Sequence, residues 1–195
     1  MKAIEYLKTK YHYIDNSRIA VWGWAYGGYI AAKSLIQMNQ HIFNCSLAVA
    51  PITNWLYWDS FTSERYFGDP RVSEDRHRYE KANLILKAEQ FRQKRLFILH
   101  GTADAEQFRQ KRLFILHGTA DDSVHLQHTF KLMKALNSAG VLYRSQIYPD
   151  SNHYLDDVRL HVYKSLETYL EECFGLEEGL NEDTNDKKKK SDNKS

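Results

Sequence analysis

The chain has 195 residues, 43% hydrophobic and 13% aromatic, which is enough for one buried core and too apolar for a disordered protein. Its 27 Lys+Arg against 25 Asp+Glu leave a formal charge of +2, too balanced for the basic footprint that neutralises nucleic-acid phosphates. No apolar run approaches the roughly 18–20 residues that span a bilayer, and the amphipathic start MKAIEYLKTKY lacks the apolar core of a signal peptide, so neither an anchor nor a secretion signal is expected in this sequence.

Ile4, Leu7 and Tyr11 share a helical face, and Asp15-Asn16-Ser17 reads as a turn before a short buried strand at Ile19–Trp22. After Gly23 the chain passes through Tyr26-Gly27-Gly28 into Ile30, Ala31, Ala32, Leu35 and Ile36, spaced for a helix, and a second apolar strand is expected at Cys45–Ala50. Helical spacing covers Glu74–Glu89 and Val124–Leu136, Val141–Tyr148 alternates like a strand, and Arg159–Cys173 is an amphipathic helix that closes the domain. Strands separated by helices predict an α/β fold with a mostly parallel sheet covered on both faces. Beyond Phe174 the acidic stretch and lysine run of 175–195 predict a disordered charged tail.

AEQFRQKRLFILHGTAD stands at 88–104 and again, without one change, at 105–121. A solenoid needs several diverged copies of a whole supersecondary unit, so this is no repeat architecture. It reads as a recent duplication or an error in the coding sequence. One central strand slot takes one copy of Leu-Phe-Ile-Leu, and the other must be extruded, added at an edge, or absent from the expressed protein. Cys45 and Cys173 form neither a CxxC pair nor a zinc cluster and are either two buried thiols or one bridge; no metal or other cofactor is expected.

Gly23-Trp24-Ala25-Tyr26-Gly27 has the frame G-x-S-x-G on a strand-to-helix turn, with alanine in the serine's place. The flanking glycines are expected to be required because a Cβ at either would clash. Asp121 follows one predicted strand and His153 another, so alanine, acid and histidine come in the order of an α/β-hydrolase triad. Asp121 would orient the imidazole and His153 would act as base.

From about Asp15 to Phe174 the chain resembles the C-terminal part of the α/β-hydrolase domain of the dipeptidyl peptidase IV and fibroblast activation protein family, within the prolyl oligopeptidase (S9) group of serine peptidases. The motifs are RIAVWGWAYGGY at 18–29, AVAPITNWLYWDSFTSERYFG at 48–68 and HGTADDSVHLQH at 117–128; removing either repeat copy makes the passage from Ala88 into Val124 continuous with the family pattern. The resemblance implies that 1–174 is a partial α/β-hydrolase fold without its early strands and the family's eight-bladed propeller, a fragment of an extracellular or type II membrane exopeptidase that releases Xaa-Pro or Xaa-Ala dipeptides. It puts Ala25 in the nucleophile's place, Asp121 or its duplicate Asp104 as the acid, His153 as the base, and the Tyr26 backbone amide in the oxyanion hole. Ile52, Trp55, Trp58, Thr62, Ser123 and Val124 match positions around the proline pocket, where Trp58 and Thr62 replace family tyrosines and Ser123 an asparagine. It further implies a Cys45–Cys173 disulfide and a homodimer through 123–138 and 158–173.

Alanine has no lone pair to attack a carbonyl, and losing the nucleophile of a serine peptidase costs on the order of 10⁶ in kcat, so a catalytically inactive member is expected. Family members lacking the serine serve as auxiliary subunits of voltage-gated potassium channels, which points to a binding role. The alternative is an active Xaa-Pro peptidase whose full-length sequence carries serine at 25.

Overall fold

Apolar residues alternate along two short runs, and each run feeds both faces of one sheet. In the computed structural model, which describes residues 2–37, 42–92 and 112–176, four strands lie parallel in the order β1 (Ala20–Trp24), β2 (Cys45–Val49), β3 (Arg112–Gly118) and β4 (Arg144–Tyr148). Cys45, Leu47 and Val49 of β2, with Phe114 and Leu116 of β3, pack against Val162, Leu166 and Tyr169 of α6 (Arg159–Phe174). Ala48, Leu113 and Ile115 face the other way, onto Tyr29, Ala32 and Leu35 of α2 (Tyr26–Gln37) and Leu132 and Leu136 of α5 (Gln127–Ser138). The two-residue period of a strand sends neighbours to opposite layers, and a parallel sheet needs both layers covered.

β3 is built from the second repeat copy. Most of the first copy, Asp104 included, the start of the second, and the tail beyond Leu176 lie outside the described residues. Cys45 and Cys173 are joined, with their Cα atoms 6.5 Å apart, which fastens the end of α6 to the first residue of β2. Arg144 of β4 adds a two-pronged contact to Glu172 at 2.7 and 2.9 Å.

Element boundaries differ from the periodic pattern where local polar groups intervene. The helix expected over Glu74–Glu89 is α4 (Ser73–Ala82) followed by a 3₁₀ stretch at Ile85–Phe91. Asn83 divides them: its backbone N–H bonds Glu80, its Oδ1 accepts from the Ile85 N–H at 2.9 Å, and Leu84 donates to the Thr53 carbonyl of another loop. The helix expected from Val124 begins at Gln127, and the strand expected from Val141 begins at Arg144. Gly140 at φ +65° turns the chain, so that the Val141 N–H bonds back to Leu136 and its side chain enters the helical layer. At the amino end, α1 (Lys2–Lys10) and β1, whose last residue is Trp24, both start within two residues of the predicted positions.

Candidate active site

All four strands run the same way, so their carboxyl ends open on one edge, the edge at which open α/β sheets bind ligands. Ala25 follows β1 at φ +50°, a backbone conformation that costs a side-chain-bearing residue energy, and it is the pivot between strand and helix. Its N–H bonds the Val49 carbonyl at 2.9 Å, and its carbonyl accepts from Tyr29 at 3.0 Å, the first turn of α2. Tyr26 is the first residue of α2, where the backbone N–H has no partner within the helix and can meet an oxyanion.

Expectation and structure part over which glycines this turn requires. A Cβ on Gly23 would stand 2.3 Å from the Gly27 backbone and one on Gly28 2.9 Å from the Val49 carbonyl oxygen, whereas one on Gly27 would meet nothing within 4 Å. Gly27 is therefore not held by a clash of its own. The crowded pair is Gly23 and Gly28, because β1, α2 and the end of β2 converge on them.

Asp121 stands three residues past β3 and is fully enclosed. Its Oδ1 accepts the N–H groups of Ser123 at 3.0 Å and Val124 at 2.7 Å, and its Oδ2 accepts from His153 Nδ1 at 2.8 Å. Burial alone would raise its pKa, but hydrogen bonds from His117, His153 and the Val124 backbone outweigh it and hold the carboxyl well below the usual range. An ionised Asp121 that accepts from Nδ1 leaves the His153 proton there and Nε2 available as a base.

His153 comes within reach because Gly118 has no side chain: a Cβ there would lie 2.3 Å from the Ser151 carbonyl oxygen. The loop after β4 packs onto that gap, with Ala120 N–H on the Ser151 carbonyl and Thr119 N–H on that of Tyr148. Trp24 Nε1 donates to the His153 carbonyl at 3.0 Å, and the two rings meet edge-on, which sets the imidazole beside the neighbour of Ala25.

One participant escaped the sequence reading. His117, wholly buried in β3, puts Nε2 3.2 Å from Asp121 Oδ2 and 2.7 Å from the Val124 carbonyl, while its Nδ1 faces Thr129 Oγ1 at 2.7 Å. A histidine directly after the apolar run Leu113–Leu116, four residues before the acid, was the available signal.

A cavity of about 640 Å³ opens beside Ala25. Of the expected pocket residues, Ile52, Trp55, Trp58 and Thr62 line it; Ser123 is exposed on the Asp121 turn and Val124 is in the core, and neither is a wall. The Asp121 and His117 contacts to the Val124 backbone hold that residue inside. The walls that were not anticipated come mainly from α2, through Tyr29, Ile30 and Lys33, and from Tyr66 of α3 (Ser60–Phe67). Chemically, the edge offers a base, an oriented acid, an amide donor and an apolar slot, with a methyl group where a nucleophile would stand.

Residues 1–177 match the family model described as the prolyl oligopeptidase family. Venom dipeptidyl peptidase 4 of Apis mellifera is 34% identical over 169 residues, covering 87% of this chain and 20% of that protein. Prolyl endopeptidase FAP of Mus musculus is 34% identical over 166 residues, 84% of this chain and 19% of that protein. Among solved structures, Porphyromonas gingivalis dipeptidyl peptidase 4 superposes with a TM-score of 0.68 at 32% identity, over 84% of this chain and 20% of that one. The chain thus spans about a fifth of the length of these relatives.

Proposed function

Because the chain belongs to the prolyl oligopeptidase family, we propose that it is a non-catalytic, dipeptidyl-peptidase-4-like member that binds peptides in the cavity beside Ala25. The observation that carries this reading is the Asp121–His153 hydrogen bond at 2.8 Å on the same sheet edge as Ala25, whose side chain can neither give up a proton nor attack a carbonyl. In such a site the remaining groups orient a peptide: the Tyr26 N–H receives its carbonyl oxygen, and Ile52, Trp55 and Trp58 enclose an apolar residue such as proline. Peptides with Pro or Ala at the second position are its ligands on this reading.

Turnover of an Xaa-Pro chromogenic peptide tests the reading: the chain as it stands should give none above background. Ala25→Ser restores the missing oxygen without altering the turn, and a gain of at least about 10³-fold in kcat would show that the other groups still suit catalysis. Turnover by the unaltered chain, blocked by a serine-directed reagent, would overturn the proposal. The intact acid–histidine pair also supports the second reading, an active serine exopeptidase whose full sequence bears serine at 25, and peptide mass spectrometry across residues 18–29 decides between the two.

The disulfide and the relatives support an extracellular or cell-surface setting; no helix among the described residues is long and apolar enough to cross a membrane. Phe130 on α5 and Leu160 and Tyr163 on α6 are exposed, which supports self-association through these helices, with the mass of the protein in solution as its test.

A further inference from the structure

The far end of the cavity has a chemistry of its own. Among the described residues its walls include no carboxylate but do include Lys33, which stands one helical turn beyond Tyr29 on the α2 face that begins at Ala25. Lys33 Nζ donates to Tyr29 Oη at 2.7 Å and lies 4.8 Å from the centre of that ring. An ammonium has three N–H donors, and among the described residues Lys33 makes no other hydrogen bond and joins no ion pair.

A further observation points the same way. Burial and then the charge of Lys33 lower the Lys87 pKa, so a second ammonium lies near Lys33. A ligand that fills the cavity strips water from the ammonium, and only an anion compensates for that loss.

We propose that this end of the cavity is a carboxylate subsite, in which Lys33 Nζ donates to an acidic group that a bound peptide carries on an apolar stem. The proposal rests on the peptide-binding reading above and adds the class of residue selected. A prolyl ring alone leaves part of a 640 Å³ cavity unfilled and the spare N–H donors of Lys33 unanswered.

The test is titration of the full chain with amidated Gly-Xaa-Ala peptides, where Xaa is Glu, Gln, Leu or Pro, and with Gly-Leu as free acid and as amide, followed by tryptophan fluorescence. The Glu peptide should bind about tenfold tighter than its Gln isostere at low salt, and that ratio should shrink as salt rises. Lys33→Met should abolish the ratio, Lys33→Arg should keep it, and a thermal melt of both variants close to the parent's shows an intact fold. A preference for Gly-Leu acid over its amide, in place of the Glu preference, assigns the subsite to a chain terminus rather than a side chain. Binding of neutral peptides with no acid preference in either series, or a preference that persists in Lys33→Met, overturns the subsite and leaves peptide binding standing. Binding of none of the peptides overturns both.

Discussion

The turn at Ala25 is decided atom by atom. Gly23→Ala drives a methyl group to 2.3 Å from the Gly27 backbone, which no side-chain rotation relieves; the expected loss is about 3 kcal/mol or more in denaturant unfolding. Gly28→Ala, at 2.9 Å from the Val49 carbonyl oxygen, should also destabilise, though less. Gly27→Ala occupies open space inside α2 and should gain roughly 0.5–1 kcal/mol by restricting the unfolded chain and favouring the helix. A loss on Gly27→Ala, or none on Gly23→Ala, would refute this account. The sequence pointed to the flanking Gly23 and Gly27, and only the convergence of β1, α2 and β2 makes Gly23 and Gly28 the indispensable pair.

Between one element and the next, the repeat poses the sharpest question. Leu116 of β3 is wholly buried and lies in register with Val49 of β2 and Gln146 of β4. Deleting 88–104 or 105–121 yields one and the same chain, so deletion cannot tell the copies apart, but point substitution can. Leu116→Asp places a charge in the α6-facing core and should abolish cooperative thermal unfolding, whereas the same change at its duplicate, Leu99, should leave the melt near that of the parent. Equal tolerance of both changes would mean that either copy can fill the slot. The copies are identical in sequence, but the second runs directly into Asp122-Ser123-Val124, whose N–H groups at 123 and 124 cap Asp121. Continuity with that turn favours residues 112–118 as the strand. The same logic explains the divided helix over Glu74–Glu89: apolar periodicity was legible and the Asn83 bond to Ile85 is local, but the Leu84 bond to Thr53 depends on a loop some thirty residues away.

Over the molecule as a whole, stability should depend on pH through a group outside the Asp121–His153 pair. His128 is enclosed between α5 and the loop after β2, where its Nδ1 accepts the Thr53 N–H at 3.2 Å and Thr53 Oγ1 donates to its carbonyl at 2.8 Å. Burial, aided by the charges of His117 and His125, lowers its pKa from 6.5 to about 4. The unfolded chain therefore binds the proton more readily between these values, so stability is full above about pH 6.5 and is lost as pH falls toward 4, by on the order of 3 kcal/mol. Thermal melts across that window should show the slope, and His128→Asn, which keeps an acceptor near Nδ1 but does not titrate, should flatten it. A slope unchanged by His128→Asn would refute the assignment. The Cys45–Cys173 bridge acts on the same global equilibrium from the other side, since it closes a loop of 128 residues and restricts the unfolded chain by up to about 5 kcal/mol on the loop-entropy model.

By itself the sequence determined the layered α/β plan, the glycine-framed turn with alanine at its apex, and the order of alanine, acid and histidine, because strand and helix periods and short motifs are local properties of the chain. The tertiary structure alone decided that residues 112–118 form β3, that His117 belongs to the Asp121 network, that Val124 lies in the core rather than the cavity, and that Lys33 closes the cavity's far end. Each of these depends on which backbone atoms approach from distant parts of the chain, as the Ser151 carbonyl approaches Gly118, and burial and hydrogen-bond partners at such crossings are set by packing rather than by spacing along the sequence.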